Sequence, residues 1–290
     1  MQWQLTKQHW SDYLQLMRLD KPIGTYLLLW PTWWALWIAA EGVPPLGLLI
    51  VFTLGVILMR AAGCVINDFA DRKVDGAVAR TKHRPLAAKR VSSVEAIQLF
   101  VVLVLAAASL LIFLNWQTVL LSVVALGLAV AYPFMKRYTH LPQLVLGAAF
   151  SWGMPMAFMA LQLQLPLIVW LLYAANLFWT VAYDTYYALV DKPDDLKTGI
   201  KSTAILFGKQ VFLIIGLLQL ATLVLLLLVG YLAQLHGIFY ISLIAVAVCF
   251  GYQHVIAKKS LAGCFSAFLH NHYVGMLVFI GIALSYLLQG

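Results

Sequence analysis

The sequence predicts an all-α fold: a polytopic membrane bundle of nine transmembrane helices with its N-terminus on the cytoplasmic side. Three observations predict it. Of the 290 residues, 63% are hydrophobic and only 10% charged, with a mean hydropathy of +0.90. A soluble domain carries about 25% charged residues, so this chain could not cover its surface in water. Apolar runs of the length that crosses a bilayer recur nine times along the chain. The basic residues also segregate: 18 of the 19 Lys and Arg fall in the N-terminal segment or in the loops after even-numbered runs. The positive-inside rule makes that side cytoplasmic and places the C-terminus outside.

Taken in order, the spans are expected near 22–40, 44–66, 94–114, 117–134, 141–162, 166–187, 211–232, 237–256 and 268–288. The start, Met1 to Lys21, is polar and lacks an apolar stretch with a cleavage site, so no signal peptide is predicted. Cys64, Cys249 and Cys264 are far apart and read as small core residues rather than a disulfide or zinc set. The net charge of +8 is explained by topology, which removes the motive for nucleic-acid binding. A single domain, 1–290, is expected, with two Asp-rich cytoplasmic loops near 67–93 and 188–210.

The acids carry the chemistry. Seven of the 11 lie in two short stretches, Asp68, Asp71 and Asp75 after span two and Asp184, Asp191, Asp194 and Asp195 around the end of span six. Four spans separate them, so both face one compartment. In a helix, Asp68, Asp71 and Asp75 would share one face. Like charges there repel and call for a hard cation such as Mg²⁺ or Ca²⁺. Mg²⁺ binds one or two carboxylates and fills its shell with water and substrate phosphate. Asp191 and Asp195 repeat the spacing, although Pro193 between them argues against a continuous helix. Taken singly, each Asp reads as a solvated loop charge; two matched clusters point to a metal–diphosphate site.

Nearby cations suit a diphosphate. Arg72, Lys73, Arg80, Lys82 and Arg84 lie in the first loop, Lys197 and Lys201 in the second, and Lys136 and Arg137 follow Tyr132. Positive-inside bias alone accounts for most of them, and Arg72, Lys136 and Arg137 are singled out. Arg60 is the one basic residue inside a span, at a cost of about 2.5–3.5 kcal/mol on insertion scales. It points either at an acidic substrate group or at a buried carbonyl. The tryptophans and tyrosines of spans one, five and six could shield an allylic cation, or simply pack and anchor. The histidines show no ligand spacing.

Asn67–Asp75 has the N-D-x-x-D-x-x-x-D pattern of the UbiA superfamily of intramembrane prenyltransferases, Asp191–Asp195 resembles its D-x-x-x-D motif, and Tyr132–Lys136 its Y-x-x-x-K element. Runs such as Leu19–Gly24, Arg60–Cys64, Arg84–Leu86, Tyr132–Tyr138 and Gly199–Ala204 resemble the branch that prenylates 4-hydroxybenzoate in bacterial ubiquinone synthesis. The resemblance covers the whole chain. It implies a bacterial inner-membrane enzyme, with active-site loops on the cytoplasmic side, that joins a polyprenyl diphosphate, commonly octaprenyl, to 4-hydroxybenzoate. Membrane lipid is its surroundings, and no obligate protein partner is expected.

On this reading Asp68, Asp71, Asp75, Asp191 and Asp195 hold Mg²⁺. Asn67, Tyr132, Arg60 and Lys201 contact substrate, and Arg72, Lys136, Arg137 and Asp191 take catalytic roles. Relatives acting on protohaem, homogentisate or dihydroxynaphthoate share the fold. A transporter would place its groups near mid-membrane, and a purely structural protein has no use for clustered carboxylates.

Overall fold

The computed structural model describes residues 3–77 and 81–289, and among these it is entirely helical and irregular, with no strand. Twelve α-helices follow in order: α1 (Trp10–Leu16), α2 (Ile23–Ala40), α3 (Leu46–Asp71), α4 (Ser93–Ser109), α5 (Trp116–Met135), α6 (Pro142–Ser151), α7 (Gly153–Gln162), α8 (Leu167–Thr198), α9 (Thr203–Leu206), α10 (Val211–Leu232), α11 (Gly237–Ala257) and α12 (Leu261–Gln289). Among the described residues eight segments are long and apolar enough to cross a membrane; the sixth and seventh helices together make one of them, interrupted at Trp152 where Gly153 and Pro155 follow. The expected span absent from these eight is the first, near 22–40, where the chain forms α2. It is 18 residues long, and its four tryptophans, with Tyr26 and two threonines, hold its hydropathy below that of the others.

The middle of the bundle is built on α2, α8 and α12. Trp34 and Trp179 stack at 5.5 Å between ring centroids. The Trp34 indole donates to the Gly275 carbonyl at 2.9 Å, and the Trp179 indole donates to Asn271 at 2.8 Å. With no water in the core, these indole N–H groups must find partners inside the protein. A second apolar cluster joins Tyr13, Leu16 and Met17 to Val65, Leu86, Val91 and Leu99, so α1 and the 81–92 segment lie together over one end of α3 and α4. Glu95 anchors that layer. It closes a capping box with Ser92 and accepts from Tyr13 and His9.

Two expectations about the acidic ends need correction. First, α8 runs unbroken through Pro193 to Thr198, so Asp184, Asp191 and Asp195 ride one helix. Pro193 lies in the final two turns, where the chain is leaving the bundle, and one missing N–H is tolerated there. The helix ends at Gly199 in the left-handed region (φ 71°), whose N–H returns to the Asp195 carbonyl. Second, α3 ends at Asp71, and Asp75 opens a separate 3-10 turn, so the three acids do not share a helical face. The spans around both motifs are correspondingly longer than the hydropathy runs, because their polar final turns are helical too. Arg80 lies outside the described residues.

Close packing at Gly275 yields a test. A Cβ there would lie 2.8 Å from Trp30 and 2.9 Å from Trp179. Gly275→Ala should therefore destabilise the detergent-solubilised protein by about 1–3 kcal/mol, seen as a lower thermal unfolding midpoint.

Candidate active site

The two acidic stretches meet. The ends of α3, α5 and α8 enclose a small polar cavity of about 150 Å³ lined by Asp71, Asp75, Asp184, Asp191, Asp194 and Asp195. Lys136 and Lys201 line it as well, along with Asn67, Tyr132 and Arg84. Lys136 reaches it because the last turn of α5 packs beside α3, and its ammonium pairs with Asp71. Lys201 is held by its backbone, whose N–H donates to the Lys136 carbonyl at 2.9 Å. With the Lys201 ammonium, which donates to the Tyr138 carbonyl at 3.2 Å, that bond ties the segment after α8 to the end of α5.

Adjoining it is a far larger cavity of about 1070 Å³. Asn67, Arg84, Tyr132, Asp184 and Tyr187 line both. At its inner end stand Arg60, Tyr183 and Phe268. From there an apolar gallery runs between α3, α4 and α5, past Val56, Met59, Ala107 and Ala129, to Leu111 and Leu114 at the opposite end of the bundle. The helices α4 and α5 both pack on α3 rather than on each other, which leaves the gallery between them.

Charge is balanced residue by residue. Asp68 is 1% exposed, and Arg18 holds both its oxygens at 3.0 Å. Arg84 bridges Asp68 at 2.9 Å and Asp75 at 3.0 Å. Burial works against the Arg84 charge, but Asp68 and Asp75 outweigh it and hold the guanidinium above its ordinary range. Arg18 sits in the left-handed region (φ 57°) on the stretch between α1 and α2, a conformation that turns the chain toward Asp68.

Polar atoms remain to be satisfied. Asp71 Oδ1 and Ser202 Oγ, both on residues lining the small cavity, are buried without a hydrogen-bond partner. So are Arg60 Nε and the Tyr183 hydroxyl beside the large one. An orphaned buried donor or acceptor costs about 1–3 kcal/mol. These four, unlike Trp30 Nε1, Asn176 Oδ1 and Thr180 Oγ1 in the packed core, belong to residues that line a cavity where a ligand can satisfy them. Among the described residues no three carboxylates already stand at chelating positions. The donor set nonetheless fits a hard divalent cation: several carboxylates, one with an orphaned oxygen, around a cavity whose lysines suit phosphate.

Of the residues singled out from sequence, Asn67, Asp71, Asp75, Tyr132, Lys136, Asp191, Asp195 and Lys201 converge on the small cavity. Arg60 and Asp68 face the large one. Arg72 and Arg137 line neither. Arg72 donates to the Phe69 carbonyl and lies 4.0 Å over its ring, while Arg137 donates to the Ala70 carbonyl. The open carbonyls and negative dipole at the end of α3 attract both. Asp184, Arg18 and Arg84 escaped singling out. Arg18 reads as one more topological cation beside the Leu19–Gly24 run; Arg84 opens the Arg84–Leu86 run and Asp184 belongs to the second acidic stretch, but neither takes a role there. The tryptophans of α2 pack against one another and against Phe279 of α12 instead of lining the site.

A test follows from the charge chain. Arg84→Gln strips a buried counter-charge from Asp68 and Asp75; breaking such pairs costs about 3–5 kcal/mol. Expected is a drop in thermal stability together with faster proteolysis of the 72–92 segment, both partly restored by Arg84→Lys.

Comparison with known proteins agrees with this architecture. Residues 28–274 match the UbiA prenyltransferase family. The chain is 60% identical over 287 residues to a 4-hydroxybenzoate octaprenyltransferase of Serratia proteamaculans, covering 99% of both chains. It is 59% identical to one of Cronobacter sakazakii, again covering 99% of each. The fold is similar to an apo UbiA homologue of Aeropyrum pernix, with a TM-score of 0.80 and 26% identity over 90% of this chain and 97% of that one. It is also similar to a homologue of Archaeoglobus fulgidus bound to GPP and Mg²⁺, with a TM-score of 0.69 and 19% identity over 93% of this chain and 99% of that one. These likenesses point to a prenyltransferase rather than a transporter or a structural bundle: the chain belongs to the UbiA prenyltransferase family.

Proposed function

We propose that the protein transfers an octaprenyl group from its diphosphate to the ring carbon ortho to the hydroxyl of 4-hydroxybenzoate, in the bacterial inner membrane, with nine crossing helices and the acidic end in the cytoplasm. The observation that carries this reading is the junction of the two cavities. A polar chamber sized for a diphosphate adjoins, across residues such as Tyr132, Asp184 and Tyr187 that line both, the cavity that runs on into an apolar gallery. At about 1070 Å³ the gallery and its inner chamber match or exceed sites for drug-sized ligands, about 300–1,000 Å³. A long isoprenoid fits there, with its tail leaving between α4 and α5 into lipid.

Asp71, Asp75, Asp191 and Asp195, with Asp68 alongside, would hold Mg²⁺, which supplies positive charge to the departing pyrophosphate. Lys136 and Lys201 add their own charge at the same place. Arg72 and Arg137 act at one remove, fixing the end of α3 and with it Asp71. Tyr132, Tyr183, Tyr187 and Phe268 keep water from the allylic cation and present ring faces to it. The Arg60 guanidinium, with its orphaned Nε, would take the acceptor's carboxylate. That fixes the ring in the larger chamber, against the wall both cavities share. Asp184 lines both cavities, whereas Asp191 lines only the polar one. That difference favours Asp184 over Asp191 as the group that receives the ring proton, with the released pyrophosphate as the alternative base.

Incubation of purified protein with 4-hydroxybenzoate, Mg²⁺ and a mixture of prenyl diphosphates should give, by mass spectrometry, 3-octaprenyl-4-hydroxybenzoate as the main product. EDTA should abolish turnover and added Mg²⁺ restore it. A product built only on protohaem, homogentisate or dihydroxynaphthoate would reject the acceptor. In the same assay Arg60→Leu should lower kcat/KM for 4-hydroxybenzoate about thirtyfold or more, since losing one side of a buried charge contact costs about 2–5 kcal/mol.

A further inference from the structure

The large cavity has a third region that the chemistry above leaves unused: a polar mouth. One side of its rim is Gln15, Asp20 and Lys21, from the end of α1 and the stretch leading to α2; the other is His83, in the segment before α4. All four are exposed. Below them Arg18 and Arg84 meet on Asp68, and Arg60 lines the same cavity deeper in. A route from water to Arg60 therefore passes Lys21, Arg18 and Arg84, with Asp20 and Asp68 as the acids along it.

We infer that this mouth is the entrance for the aromatic acid, separate from the route of the prenyl donor, and that Lys21 steers the carboxylate inward. The inference rests on the 4-hydroxybenzoate reading. Solvation is the first argument. A carboxylate in hydrocarbon is heavily penalised, so an anionic acceptor does not come through the slot between α4 and α5. A long isoprenoid chain has the opposite preference and does not come through a rim of charged and polar groups. Each substrate is excluded from the other's path by its own chemistry.

Charge is the second argument. Four cations, Arg18, Lys21, Arg60 and Arg84, line the cavity against three acids, Asp20, Asp68 and Asp184. Arg18 and Arg84 are paired on Asp68, so Lys21 at the rim and Arg60 within are the charges that draw an anion inward past low-dielectric walls. The two lips are also tied. Arg90 donates to Gln15 Oε1 and to the His83 carbonyl, each at 3.0 Å, and pairs with Asp12 of α1. Arg90 thus bridges the two lips of the mouth.

Initial rates of the full chain in detergent test this, with 4-hydroxybenzoate and its uncharged methyl ester as acceptors, at low and high ionic strength. At low salt Lys21→Glu should lower kcat/KM for the acid about threefold to tenfold. The loss should appear in KM for the acid, with little change in its ratio for the ester, and should shrink as salt rises. His83→Arg, which adds charge at the opposite lip and leaves the carbonyl bond to Arg90 available, should move kcat/KM for the acid the other way. Equal losses for acid and ester, a raised KM for the prenyl donor, or indifference to charge at both rim positions would overturn the inference. Failure of the unaltered chain to prenylate 4-hydroxybenzoate would instead remove the acceptor assignment, and this occupant of the mouth with it.

Discussion

Concentrating carboxylates at the end of a membrane bundle is unfavourable unless each negative charge is answered, and the arrangement of this protein follows from how that is done. Asp68 is answered twice, by Arg18 from before the first span and by Arg84 from the segment after the second. Arg84 also answers Asp75, and Lys136 answers Asp71 from the end of α5. These ion pairs join the stretch after α1, the ends of α3 and α5, Asp75 and the 81–92 segment into one layer. Charges this far from water would be prohibitive singly and tolerable only when paired and hydrogen-bonded.

The same layer separates two kinds of space. On one side is a chamber small enough for phosphate and metal; on the other, a gallery built from aliphatic residues of α3, α4 and α5. Residues between them belong to both. Tyr132 and Asp184 come from different helices, α5 and α8, and meet because the segment after α8 is hydrogen-bonded back to the end of α5. The reacting centre of a long amphipathic substrate has a defined place only where such a wall exists.

Much of this was legible in the sequence. Hydropathy locates most spans to within a few residues; the exceptions are α12, which begins at Leu261 ahead of the apolar run, and α8, which continues to Thr198 well past it. The acid motifs identify the chamber. What escaped is tertiary. Whether Arg72 faces the chamber or turns back onto Phe69 depends on where α3 ends, and hydropathy does not record a polar final helical turn. Pro193 reads locally as a break, yet α8 continues through it. Arg18 lies 50 residues from Asp68, and only the folded path of the chain brings them together. Asp184 hides among apolar neighbours whose other members face the core.

The latch between the chain's beginning and α4 bears on how the protein is made. Gln4 pairs with Gln98, 94 residues on, and Tyr13 with Glu95, 82 residues on. Because synthesis runs from the N-terminus, those partners do not yet exist when α2 and α3 leave the ribosome. The opening residues must wait, undocked, until α4 has been inserted. Closure of the ion-pair layer over the chamber is therefore a late event in biogenesis, and a bulky fusion at the N-terminus would burden that step before any other.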